Sequence, residues 1–422
     1  MPFSTFGLDA ALLRAIGAQG YLAPTPVQTA AIGAIIDGRD VLALAQTGSG
    51  KTAAFCLPVL QRLQSKRPDA PGTRPGRRAA VRALMLAPTR ELAAQIGQVL
   101  DALSPALPVA VKTTVVFGGV SINPQMMGLR AGADIVVATP GRLLDLVDHN
   151  ALDLSQVQTL VLDEADRMLD LGFADELTRI LALLPVHRQN LFFSATFPDA
   201  MQSLLAPLLR NPLRIDVPAS ATTMPVIVQR AIEVDASRRT QLLRHLIQQE
   251  KWARVLVFVA TKFAAEIVAD KLRKAGIDAE PFHGELSQGK RSQVLADFKA
   301  SRVQVVVATD LAARGIDIVE LPVVVNFDLP RSALDYLHRI GRTGRAGERG
   351  LALSFVSAAS ATHFRLIEKR QGLNIMREQL AGFEPVGWPA AGQAPGTGGI
   401  KGKRPSKKDK LRQAAAVKGG PS

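Results

Sequence analysis

Eight residues, Ala45-Gln46-Thr47-Gly48-Ser49-Gly50-Lys51-Thr52, constrain this chain more than any other segment. They follow an apolar run, Val41–Ala45, that reads as a strand, and they open a helical pattern, Lys51–Leu63. A glycine-rich turn between a strand and a helix is the setting of a phosphate-binding loop. Gly48 and Gly50 let the backbone wrap phosphates closely, and the helix N-terminus adds aligned N–H donors. Gln46, Thr47 and Ser49 complete the cradle, Lys51 reaches the β- and γ-phosphates, and Thr52 ligates Mg2+ in such a loop. The first glycine usual in the motif is Ala45 here.

Strand-like apolar runs alternate with helical patterns on both sides of this loop, the mark of wound α/β architecture with parallel sheets. In the first half the expected strands are Val41–Ala45, Ala83–Ala87, Thr114–Phe117, Ile135–Ala138, Thr159–Leu162 and Leu191–Phe193. Helices are expected at Lys51–Leu63, Arg90–Leu103 and Asp175–Leu184. A second series begins near Val228, with strands Val255–Val259, Val303–Ala308, Val323–Phe327 and Leu351–Val356. Its helices are Phe263–Ala275, Ser287–Phe298 and Ser332–Ile340. The 422 residues are too many for one ordinary core, and 47% hydrophobic content is enough to bury two. The expected organisation is a first domain over 1–210, a proline-bearing linker over 211–226, a second domain over 227–372 and a tail over 373–422. Gln64–Arg82, rich in Pro, Gly and Arg, reads as an exposed loop, and the chain from about Gly382 is expected to be disordered. Two α/β halves of similar size hint at a duplicated fold. The single cysteine, Cys56, excludes internal disulfides and Cys-based metal clusters. The six histidines show no metal-ligand spacing. No run of about 18 apolar residues and no secretory leader is present, so a cytoplasmic protein is expected.

Downstream of the loop, Leu160-Val161-Leu162-Asp163-Glu164-Ala165-Asp166 places an acidic cluster at the end of an apolar strand. Alone, such a cluster is a solvated turn or a helix cap. Beside a phosphate loop, Asp163 holds Mg2+ directly or through water, and Glu164 orients or deprotonates the attacking water.

These residues resemble the DEAD-box RNA helicases, and further motifs appear in that family's order between Phe3 and Gln371. The resemblance implies two tandem RecA-like P-loop domains, ATP and Mg2+ as ligands, and ATP-driven local unwinding of RNA or remodelling of ribonucleoprotein. Gly20-Tyr21-Leu22-Ala23-Pro24-Thr25-Pro26-Val27-Gln28 looks like the Q motif, which implies that Tyr21, Pro26 and Gln28 serve the nucleotide. Gln28 would read the adenine edge and Phe3 would pack on its ring. Ala45 is that family's usual residue in the phosphate loop. Pro88-Thr89-Arg90-Glu91-Leu92, Gly118-Gly119 and Thr139-Pro140-Gly141-Arg142 resemble RNA-contact motifs of the first domain, each following an expected strand. Thr89 and Thr139 could instead be plain helix caps. Ser194 and Thr196 resemble the motif that couples the acidic cluster to RNA, with hydroxyls placed to bond Asp166.

In the second half Thr261, His283, Gly284, Arg291, Thr309 and Asp310 resemble RNA-binding positions. Gly315 and Asp317 resemble the segment whose aspartate bonds the ATP ribose. His338-Arg339-Ile340-Gly341-Arg342-Thr343-Gly344-Arg345 resembles the family's last motif: Arg342 and Arg345 as arginine fingers on the γ-phosphate, His338 and Arg339 in interdomain coupling. The subgroup most similar is the bacterial RhlE type. By the same resemblance a monomer is expected, with ribosome-assembly or RNA-degradation proteins as partners.

Charge agrees with a polyanionic partner: the formal net charge is +14. From Ala391 to Ser422 there are eight basic residues and one acidic residue, so half of that excess lies in the tail. The tail is expected to tether RNA without sequence preference, or else simply to solubilise. Aromatic residues are only 5%, which argues against a broad base-stacking platform. Two other readings remain at this level: a DNA translocase of the same superfamily, and an ATP-gated RNA clamp that rarely unwinds.

Overall fold

The computed structural model describes residues 2–45, 48–65, 80–217, 227–313, 321–344 and 349–386, and all statements below concern those residues. The first sheet contains β1 (Val41–Leu44), β2 (Ala83–Leu86), β3 (Thr113–Val116), β4 (Ile135–Ala138), β5 (Thr159–Asp163), β6 (Gln189–Ser194) and β7 (Leu213–Asp216). Their order is β3-β4-β2-β5-β6-β1-β7, with parallel pairing throughout. The second sheet contains β8 (Ile227–Glu233), β9 (Val255–Val259), β10 (Ala279–Phe282), β11 (Val305–Thr309), β12 (Val323–Asn326), β13 (Gly350–Val356) and β14 (Arg377–Glu378). Its order is β10-β11-β9-β12-β13-β8-β14, again parallel. Counted from its own first strand, each sheet has the same order, so the duplication hinted at by the sequence is a duplication of topology.

The continuous apolar runs have a simple cause. Parallel strands covered by helices on both faces need apolar side chains on both faces. Thus Val41, Ala83, Met85 and Ile135 point into one core of the first domain, while Leu42, Leu84, Leu86 and Val136 point into the other. In the second domain Val255 and Val257 face one core and Leu256 and Phe258 the opposite one. Connections return each chain to the same end of the sheet, so the loops after the strands gather at one edge.

Expected and observed elements agree to within one to three residues at most ends, but two boundaries move. Strand β7 lies inside the segment expected to be linker and pairs with β1 in register Val41 to Leu213. Its pattern, Leu-Arg-Ile-Asp, buries only Ile215 well, because an edge strand has one partner. The start of the expected tail is likewise part of the second domain. Arg377 and Glu378 pair with β8, and the Arg230 guanidinium forks between Glu378 (2.7 Å) and Glu250 (3.0 Å). Phe383 packs on the Arg238 guanidinium and the His245 ring, and the Val386 N–H donates to Asp235. A two-residue strand held by ion pairs and one aromatic has no periodicity to read. The loop expected at 64–82 falls mostly outside the described residues, as does the tail beyond 386.

The fork at Arg230 generates a stability prediction. Arg230→Ala leaves the Glu378 carboxylate without its charged partner and should lower the urea stability of the full chain by about 1–2 kcal/mol. An unchanged unfolding midpoint would show that the 377–386 strap contributes nothing to the second domain.

Candidate functional site

The phosphate loop leaves the carboxyl end of β1, and the helix Lys51–Ser65 starts at its lysine. Gly48 and Gly50 adopt φ of 80° and 90°, a region closed to most side chains. At Gly50 the need is double, because an added Cβ would lie 2.5 Å from Gln28 Nε2. Gln28 Nε2 donates to the Gly50 carbonyl at 3.1 Å, and its Oε1 accepts from the Thr25 N–H at 2.9 Å. Gln28 therefore braces the loop through its amide, in addition to whatever lone pair and N–H remain for a base. Pro26 opens that helix, and Tyr21 packs half-buried against the first-domain core. Phe3 is a core residue, 6% exposed, with its ring edge-on to Phe6 at 6.3 Å. The sequence expectation of an adenine contact thus meets a side chain already committed to packing. Gln46 and Thr47 lie outside the described residues.

Lys51 is buried, and its Nζ donates to the Ala45 carbonyl at 2.8 Å. The Ser49 hydroxyl is buried without a partner. Burial raises the Asp163 pKa to about 7, against the opposing pull of the Lys51 ammonium. A lysine curled on its own loop, an orphan hydroxyl and a carboxylate short of counter-charge are what an Mg2+–triphosphate group would satisfy. Thr52 opens the helix beside this loop, and Asp163 ends β5. No group of three His, Cys, Asp or Glu side chains suited to a metal exists among the described residues.

Glu164 follows β5 at φ 52°, a left-handed conformation uncommon for a side-chain-bearing residue. The bend starts the helix Ala165–Asp170 and turns Asp166 back toward β6. Asp166 Oδ2 accepts from both the N–H (3.0 Å) and the hydroxyl (2.9 Å) of Thr196, and the Asp166 N–H donates to Ser194 Oγ (3.2 Å). The acidic cluster and the Ser194–Thr196 segment are thus joined by three hydrogen bonds, as their sequence positions suggested.

Arg167, next in line, reaches the second domain and pairs with Asp335 at 3.5 Å. Together with His338, Arg339 and Arg342 they line a small interdomain cavity that Phe258 and Asp310 close from below. Burial and the Arg167 charge depress the His338 pKa to about 3, so the imidazole is neutral; its Nδ1 has no partner. Arg342 is 7% exposed in this cavity. Arg339 lines the cavity, but its hydrogen bonds are made at home. Its guanidinium grips Asp310 bidentately (2.6 and 2.7 Å) and donates to Asn326 and to the Asp328 carbonyl, all within the second domain. It scaffolds that domain, and the carboxylate of Asp310 is spent on it. Gly315, Asp317 and Arg345 lie outside the described residues.

A larger cleft of about 580 Å³ runs between the domains. From the first domain Pro88, Thr89, Arg90, Gly118, Gly119, Thr139, Gly141 and Arg142 line it; from the second, Gly284 and Arg291. Ten of the residues read as RNA-binding therefore meet in one cavity. The chemistry is polar and cationic. Arg90 lies so close over Gly119 that an added Cβ there would sit 1.7 Å from Nη2. Arg142 donates to the Val120 carbonyl at 2.8 Å, while its Nε and Nη1 are buried without hydrogen-bond partners. Thr89 both caps its helix and lines the cleft, whereas the Thr139 hydroxyl makes no cap bond and accepts from the Gly118 N–H instead. Pro140, Thr261, His283 and Thr309 do not line the cleft; Thr261 caps the helix Lys262–Lys274 and His283 bonds Glu266 at 2.8 Å. Arg291 is not free for a ligand alone. It pairs with Glu91 across the domains at 2.8 Å, both side chains 5% exposed. Sequence reasoning missed Asp145, Phe173, Leu311 and Ala312 as cleft residues, which carry no local signal; Glu91 belongs to a quoted motif but was not singled out as a site residue.

Known proteins resemble this arrangement. Residues 25–204 match the family model DEAD/DEAH box helicase, and residues 238–347 match Helicase conserved C-terminal domain. The chain is 40% identical over 386 residues to ATP-dependent RNA helicase DeaD of Mycobacterium tuberculosis, covering 91% of this chain and 66% of that one. It is 39% identical over 367 residues to ATP-dependent RNA helicase CshA of Listeria monocytogenes, covering 87% and 68%. It spans about two thirds of the length of such relatives. Among solved structures it is similar to S. cerevisiae Dbp5 bound to RNA and ADP BeF3, with a TM-score of 0.77, 30% identity and coverage of 90% and 95%. Mss116p bound to ssRNA and AMP-PNP gives 0.77, 28% identity and coverage of 90% and 78%.

The raised Asp163 pKa predicts a pH dependence. Between about pH 4 and 7 the folded chain holds a proton that the unfolded chain has lost, so stability falls as pH rises through that window. Asp163→Asn should remove that fall, measured as the thermal midpoint across pH 4 to 8 without nucleotide. A wild-type slope retained in Asp163→Asn would refute the assignment.

Proposed function

The chain belongs to the DEAD/DEAH box helicase family, and on that premise we propose that it is an RNA-stimulated ATPase that grips single-stranded RNA between its two domains and separates short duplexes locally. One observation carries the reading: a single cleft is lined by motif residues from both domains. Guanidinium, hydroxyl and glycine N–H groups read phosphate and 2′-OH rather than base edges, so the core binds RNA with little sequence preference. The relatives named as RNA helicases and the neighbours crystallised with RNA support RNA over DNA as the polymer.

In this proposal the phosphate loop holds ATP, Lys51 neutralises the β- and γ-phosphates, and Glu164 positions water for in-line attack. Thr52 and Asp163 would hold Mg2+, which would supply charge neutralisation to the phosphates. Arg342 reaches the γ-phosphate from the second domain, with Arg345 as its companion. Because Arg342 belongs to the other domain, the ATPase site is complete only when the domains approach, and the RNA cleft has the same requirement. Each ligand thus favours the closed arrangement, and their binding is coupled reciprocally. A cytoplasmic setting, and ribosome-assembly or RNA-degradation proteins as partners, belong to the same proposal. Among the described residues no helix is long and apolar enough to cross a membrane.

The test is ATP turnover with and without single-stranded RNA and single-stranded DNA. RNA should stimulate strongly and DNA weakly. Arg342→Ala should lose about 10³-fold in stimulated turnover, the usual worth of an arginine finger, and Lys51→Ala should be inactive. Turnover indifferent to RNA sinks the proposal. Glu164→Gln should trap the closed RNA complex, and release of a duplex strand by the wild type distinguishes unwinding from clamping. For the tail, the strap shows that a cut belongs after Val386. That truncation should flatten the slope of RNA affinity against salt, and an unchanged slope would remove the tethering role.

A further inference from the structure

Phe263 is 73% exposed, an unusual fate for a phenylalanine in a chain with so few aromatics. It is the second residue of the helix Lys262–Lys274, which follows β9 directly. That helix begins at the end of the second sheet that faces the first domain. Two contacts from its first turns fix its position against the cleft wall. Lys262 pairs with Glu285, and Glu266 bonds His283 at 2.8 Å. They bracket Gly284, which lines the RNA cleft. Phe263 lies between those two anchors, on the same helix end. Helical side chains lean toward the helix N-terminus, which here is the cleft side. Ile267, one turn on and 43% exposed, extends the apolar ledge.

We propose that Phe263 is a stacking post for one nucleobase of an RNA strand as it passes the second-domain mouth of the cleft, with Ile267 packing against the base edge. The inference rests on the RNA-binding reading above and adds to it a contact that no phosphate-reading residue supplies. Continuity with the cleft argues for RNA over other occupants. Charge does not decide the occupant: at the helix start Lys262 stands against Glu266 and Glu285, while Lys271, Arg273 and Lys274 lie in the helix's last turn. Exposed ion pairs of this kind are weak, so passing phosphates can compete for the lysines. An exposed ring beside a phosphate-reading groove is the combination that single-strand binders use, and any base has a face to stack. The core remains indifferent to sequence but gains a preference for strongly stacking purines over pyrimidines at one position.

The experiment compares wild type, Phe263→Ala, Phe263→Leu and Phe263→Trp as full chains, with a non-hydrolysable ATP analogue, oligoadenylate, oligouridylate and an abasic oligomer of equal length. Phe263→Ala should bind oligoadenylate about tenfold more weakly, the low-to-middle range for loss of one aromatic stack. Phe263→Leu should lose nearly as much despite its apolar bulk, and Phe263→Trp should regain it with quenched indole emission on binding. The salt slope should not change, since no charge is altered. The abasic oligomer should bind wild type and Phe263→Ala alike. Equal oligoadenylate affinity for wild type and Phe263→Ala overturns the proposal. So does a change confined to self-association in sedimentation, which would make the ledge an interface between copies. RNA stimulation of wild-type ATP turnover, measured alongside, tests the underlying reading separately: if it is present while Phe263→Ala binds normally, only the stacking post fails.

Discussion

A carboxylate from one domain and a guanidinium from the other meet in a nearly dry place: Glu91 and Arg291 at 2.8 Å, each with 5% of its side chain exposed. Taking two charges out of water costs several kcal/mol per ion unless they stay together. The pair therefore says little about net stability and much about register. It tolerates few relative positions of the two domains, because separating them leaves two buried charges alone. Arg291 also leans its guanidinium over the Phe282 ring at 5.1 Å, which fixes its direction. The cleft forms around this contact, and its lining is drawn from both domains because the pair holds both walls.

The smaller cavity follows a different logic. Arg167 and Arg342 share it with His338, and two like charges with a neutral imidazole have a surplus of donors. Asp166 and Asp335 offset part of that surplus. Asp166 is in turn bonded to Thr196, and its chain neighbour Arg167 pairs with Asp335 of the second domain. Arg339 and Asp310 are an ion pair in the second-domain wall of the same cavity.

Much of this was legible in the residues, and the exceptions have physical causes. The phosphate loop, the acidic strand end and the Ser194–Thr196 partner of Asp166 are local patterns whose neighbours are fixed by strand order. The core packing of Phe3 and the Asp310 partner of Arg339 were not legible, because a motif position gives a residue type and a direction, whereas the partner it meets depends on the whole domain. Strand β7 and the 377–386 strap escaped because edge elements bury one face or none, and periodicity fades with burial. Phe173 and Leu311 enter the cleft only because two distant chain segments fold beside it.

The residues alone determined the fold class, the duplicated α/β plan and the phosphate chemistry. Those depend on contacts along the chain: alternating runs for strands covered on both faces, glycines where backbone must approach phosphate, a lysine one turn on. Only the tertiary structure decided which charged groups neutralise one another. Arg339 gripping Asp310 and Glu91 holding Arg291 are pairings of side chains 29 and 200 residues apart, and Gln28 reaches the Gly50 carbonyl in the same way across 22. A charge has no periodicity, so its partner is chosen by distance in space, which the chain fixes only once both sheets have formed.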